Sequence, residues 1–149
     1  MIRGQRGQVL AFIAVALAIV VMPVAAYAVD SATVSAAAAA LEEATATAAL
    51  EASEQLDVIA FRAAGALAVD GTAARRIAQG VIAAEVPMAS VSSVTVSRAE
   101  VTIATREEVQ LPFDFFPERS VHLQASASAR LSGGYDRPSS FLPLPSSTF

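Results

Sequence analysis

The chain has no cysteine, no lysine and no tryptophan, and only one histidine, His122. Without cysteine, disulfides and thiolate metal sites are excluded. Without lysine, all ten basic residues are arginine, and no basic patch is large enough to point to nucleic acid. A catalytic or metal-binding His122 would need partners. No second His or Cys exists, and no spaced carboxylate cluster surrounds it, so it reads as a solvated strand residue. No Gly-rich phosphate loop, nucleophile elbow or supported Ser-His-Asp spacing is found either. The glutamates at 42, 43, 51 and 54 read as the solvated face of a helix, since adjacent helical positions do not face each other. The expectation is a protein that is not an enzyme, with no cofactor, metal, small-molecule substrate or nucleic-acid partner. Its 149 residues allow one domain of ordinary size, and the net charge of −4 is mild.

Charge is also missing locally. Arg6 is the last charged residue before Asp30, so residues 8–29 form 22 uncharged positions. A helix of that length spans about 33 Å, one hydrocarbon core. Arg3 and Arg6 precede the run; Asp30, Glu42 and Glu43 follow it. The positive-inside rule places residues 1–7 in the cytoplasm as a leader, 8–29 across the membrane and 30–131 outside. A cleaved secretory signal is the competing reading, with Ala26 and Ala28 as an A-x-A cleavage site after a helix-breaking Pro23. Against it, the apolar run exceeds a usual h-region and the helical pattern continues past the triplet. Both readings export the rest of the chain. Inside a membrane helix Pro23 is tolerated.

The exported part reads as α+β. Residues 31–69 are Ala-rich, lack proline and have Gly65 as the one weak point. Val34, Leu41, Ala48, Ala52, Leu56, Ile59, Ala63 and Leu67 recur at helical spacing. This predicts a helical stalk over 31–69, continuous with the anchor and on the order of 90 Å long. Its fatter lower face, around Leu56, Val58, Ile59 and Phe61, is expected to cover the core. Its upper Ala stripe reads as a stalk or a surface for another helix. Asp70-Gly71-Thr72 ends the stalk, with Gly71 suited to the C-cap and Asp70 or Thr72 to the next N-cap. A second helix is predicted over 73–85, ended by Pro87.

The period then changes to two. Strands are predicted over 92–98, 99–111 and 120–131. Val101, Ile103, Val109 and Leu111 face inward in the second, and Val121, Leu123 and the alternating alanines to Leu131 in the third. The inward alanines leave room for a helix to approach closely. Glu107 falls on the inward parity, reading as a partner for an arginine or as a sheet-end residue. Between the last two strands, the loop 111–120 carries Phe113, Phe115 and Phe116 between two prolines. These rings either pack under the sheet edge or face a partner. Packing is favoured because the domain has few other large side chains. The tail, 132–149, is rich in Gly, Pro and Ser without a period and reads as flexible.

The N-terminus, RGQVLAFIAVALAIVVMPVAAYAVDSA, resembles the TadE/TadG-like proteins of the bacterial Flp, or tight-adherence, pilus system. The matching features are Arg6-Gly7-Gln8, the apolar helix with Pro23 inside it, and Ala28-Val29-Asp30-Ser31. The later order, an Ala-rich helix, a second helix and strands ending in an Ala/Ser-alternating one, is similar too. The resemblance implies a pilin-like fold and a minor pilin or pseudopilin, anchored in the inner membrane and acting in pilus assembly or secretion. It implies other pilus-assembly proteins or pilin-like subunits as partners. It also implies a prepilin-peptidase cut between Gly7 and Gln8. Pilin-like members carry a glutamate at the fifth mature position; counted from Gln8, that position is Phe12. The missing acid points to an anchored accessory factor more than to a filament subunit. The alternative from another class is an exported binding or adhesion module that uses the Phe-rich loop.

Overall fold

The computed structural model describes residues 4–113 and 119–131. The leader-to-anchor boundary disappears into a single 50-residue helix, α1 (Gly4–Ser53), about 75 Å long. Pro23 lies inside it without ending it. Two further helices follow, α2 (Val58–Ala64) and α3 (Gly71–Glu85). Three strands, β1 (Ser90–Ser97), β2 (Glu100–Gln110) and β3 (Ser120–Arg130), form an antiparallel sheet in the order β1-β2-β3. The chain is therefore α+β: a long N-terminal helix with an apolar first half, two more helices and a three-stranded sheet. The tail lies outside the described residues.

The expected stalk over 31–69 is not one helix. α1 stops at Ser53, where no Gly or Pro stands. Side chains take over its last carbonyls: Ser53 Oγ donates to Leu50 O at 2.8 Å and Gln55 Nε2 to Glu51 O at 3.1 Å. Such local bonds offer the backbone an alternative to another helical turn. The chain then makes a closed excursion. Asp57 N–H donates to Ala68 O, Asp70 N–H to Gln55 O, and Leu56 pairs with Val69. Val69 N–H in turn reaches Arg98 O in the β1–β2 turn. Within the excursion, Asp57 caps α2 by accepting from the N–H groups of Ile59 and Ala60. Gly65, at φ +63°, closes it in the left-handed region. The C-terminal cap is thus Gly65; Gly71 instead opens α3. Asp70 caps α3 as expected, accepting from the N–H groups of Thr72 and Ala73.

The cover of the sheet is also not the expected one. α2 has no buried residue, and Ile59 is 82% exposed. The sheet is covered by the Ala-rich end of α1 together with α3. Ala44, Ala48, Ala49 and Ala52 of α1, and Ala74, Ala78 and Ile82 of α3, pack with Val69, Val101 and Ile103. Six of these ten residues are alanine, so the layers meet at short range rather than through interlocking large side chains. Ala127 and Ala129 of β3 pack against the same cluster. The inward alanines do admit a close helix. The upper stripe of the supposed stalk is therefore the core face.

The strands follow the alternation closely. Val101, Ile103, Thr105, Val109 and Leu111 are buried, and β2 pairs with β3 in unbroken register from Glu100–Arg130 to Gln110–Ser120. β1 carries a bulge between Val91 and Ser93. Its turn to β2 has two residues, Arg98 and Ala99, between the paired Ser97 and Glu100.

Candidate functional site at the junction of helix and sheet

Two hydrogen bonds fix how β2 lies along α1. Thr45 and Thr105 meet through their hydroxyls at 2.6 Å. Fifteen residues earlier on the helix, Asp30 Oδ1 accepts the N–H of Phe113 at 3.1 Å. Asp30 to Thr45 is about 22 Å of helix; Thr105 to Phe113 is at most about 27 Å of extended chain. The two ties therefore hold β2 antiparallel to the second half of α1. The sheet lies along the helix from Asp30 onward, and no bare stalk separates it from the apolar run.

Asp30 is fully buried. Buried carboxylates are costly unless bonded, and the amide of Phe113 supplies one such bond. Sequence reasoning used Asp30 only as the first charge after the apolar run. The available signal was its position as a lone acid between an apolar helix and an Ala stripe, with no nearby basic residue along the helix.

Phe113 itself is 57% exposed. It closes an apolar groove of about 400 Å³ whose other walls are Met22, Pro23, Ala25, Ala26 and Val29 of α1. The packed reading of the loop does not hold for this ring; Phe115 and Phe116 lie outside the described residues. Positions 9–29 of α1 are almost entirely exposed, including Phe12 at 74%. The helix is long and apolar enough to cross a membrane. Gly7, Gln8, Ala26 and Ala28 all fall inside it.

The far face of the sheet holds the polar candidates. His122 is exposed and stands opposite Glu108 in the ladder. Glu108 Oε1 accepts from Ser120 Oγ at 2.7 Å. Arg106 Nε donates to Ser90 Oγ at 3.3 Å. Ser90, Arg106, Glu108 and His122 line an open trough of about 430 Å³ with Met88, Glu107, Leu123 and Gln124. Glu107 Oε2 is buried and has no hydrogen-bond partner among the described residues. Among the described residues no group of three metal-ligating side chains converges.

No family model, no curated protein and no solved structure matches this chain.

Proposed function

We propose that this protein is a single-pass membrane protein, N-terminus inside, with a small exported domain that acts structurally in Tad-type pilus assembly or secretion. The observation that carries the reading is the continuity of α1. One helix supplies both the exposed apolar run and the buried Ala face under the sheet. A long N-terminal helix with a sheet packed on its second half is the architecture expected of a pilin-like protein. The N-terminal resemblance to TadE/TadG-like proteins supplies the pilus context. Bacterial inner membrane and pilus-machinery partners follow from that context. Phe12 occupies the place of the filament-forming acid, so the role is that of an accessory or minor component. The protein performs no reaction in this reading.

The burial of Asp30 supports an anchor that is retained. A cut after Ala28 would leave Asp30 at the second position of a new terminus, with the groove wall from Met22 to Ala26 removed. Mass spectrometry of the mature N-terminus tests the proposal. A start at Gln8 or an intact Met1 is expected; a start at Val29 would make the protein a released soluble domain and overturn it.

The exposure of Phe113 keeps one alternative in view, an exported binding module that uses the loop 111–120. Replacing Phe113, Phe115 and Phe116 by serine distinguishes it. A folded variant that loses a protein or surface ligand would favour the binding module.

A further inference from the structure

The groove closed by Phe113 sits beside the last two turns of the uncharged run. Its helical wall extends from Met22 to Val29, about 10 Å along the axis. Asp30, the first charge, lies immediately beyond it. Phe113, at the start of the β2–β3 connection, thus reaches back past Asp30 and overlaps the apolar run. Two bonds hold Phe113 and the base of the connection in place. Phe113 N–H is held by Asp30, and Leu111, itself buried, donates its N–H to Arg119 O at 3.0 Å. The ring is presented by a closed neck, yet more than half of it is uncovered.

All six residues lining the groove are apolar, and the groove is continuous with the exposed surface of Met22, Val24 and Val29. A bilayer centred on residues 8–29 has its outer boundary at Val29. Phe113 and the groove then lie within the outer 5–10 Å or so, where interfacial aromatic and aliphatic side chains are buried. The chemistry that matches these walls at this depth is hydrocarbon.

We propose that Phe113 is a second membrane contact: an acyl chain of the outer leaflet fills the groove between Phe113 and Met22–Val29, holding the sheet domain against the bilayer surface. This rests on the anchored reading above. It adds that the exported domain is seated on the membrane through Phe113 and does not swing freely on its helix. Asp30 serves as the positioning residue, because its carboxylate fixes the amide of Phe113 at the end of the span.

The absence of tryptophan makes the test direct. Single-tryptophan variants of the full chain, F113W, V15W and I59W, are reconstituted in phosphatidylcholine vesicles. The vesicles contain lipid brominated either near the carbonyl or near the chain terminus. V15W, inside the span, reports the anchor; I59W, on the exposed α2, reports water. The expected result is about a twofold loss of F113W emission with shallow bromine, a smaller loss with deep bromine, and almost none for I59W. Quenching of V15W without quenching of F113W overturns the proposal and leaves the anchor standing. Absence of quenching at both positions overturns the anchor and the proposal with it. Emission of F113W that is insensitive to bromine but shifts to the blue as the protein-to-lipid ratio rises assigns the groove to a second copy, and also overturns the lipid contact.

Discussion

Thr45 and Thr105 are 60 residues apart in sequence, and their hydroxyl oxygens stand 2.6 Å apart, both fully desolvated between α1 and β2. Thr45 Oγ1 also donates to Leu41 O at 2.6 Å. That bond uses its only proton, so the hydroxyl of Thr105 donates to Thr45. The other acceptor near Thr105 is Ala125 O, at a long 3.5 Å. The pair is a directed chain from strand to helix to helix carbonyl, set in a core that otherwise interlocks poorly because it is built of alanine.

This direction makes the two positions unequal. T105V removes a donor and leaves Thr45 bonded to Leu41, for a cost of about 0.5–1 kcal/mol. T45V strands the buried hydroxyl of Thr105 on its long contact and costs about 2 kcal/mol. The double variant loses less than the sum, because the stranded hydroxyl is gone. Denaturant titrations of the full chain in detergent micelles read all three; equal single costs would contradict the assigned direction.

The Ala face of α1 predicts a second asymmetry. Ala48 is fully buried, whereas Ala46 is exposed on the same helix. A48L forces a large side chain between layers that meet at alanine distance and is expected to cost about 3 kcal/mol or more. A46L leaves stability within about 0.5 kcal/mol. Thermal unfolding of the two variants checks this; tolerance at position 48 would show the layers to be looser than the structure has them.

The strands were legible because a half-buried antiparallel strand writes its two faces into alternate residues. From Val101 to Leu111 every inward position except Thr105 and Glu107 is apolar, and the helix cap at Asp70 announced α3 in the same local way. The core face of α1 was not legible. Alanine at positions 44, 48, 49 and 52 carries little hydrophobic contrast, so reading by side-chain size put the core at Leu56–Phe61. The end of α1 was hidden for a related reason. Ser53 and Gln55 end it through side-chain bonds that leave no Gly or Pro mark. Asp30 could be seen as a charge but not as a partner, since one of its partners is an amide 83 residues away.

The exposed α2 gives that correction a test. Ile59→Ser places a polar residue where the stalk reading expects core, yet the side chain is 82% exposed. The change is expected to shift stability by less than about 0.5 kcal/mol. A loss of about 2 kcal/mol or more would mean that Ile59 is buried after all, as the stalk reading requires. The same denaturant titration decides between them.

The β1–β2 turn holds the one described non-glycine residue with positive φ, Arg98 at 53°. In a two-residue hairpin loop with positive φ at its first position, glycine is the usual occupant. A side chain there costs about 1–2 kcal/mol, part of which glycine returns through its greater freedom in the unfolded chain. Arg98→Gly is therefore expected to stabilise the domain by roughly 0.5–1 kcal/mol. The turn is held in place by its carbonyls, since Arg98 O accepts from Val69 N–H and Ala99 O from Leu131 N–H. Both bonds are made by the backbone and survive the substitution. A rise in the unfolding midpoint is the expected reading. A fall would mean that the guanidinium makes a stabilising contact outweighing the strain at this turn.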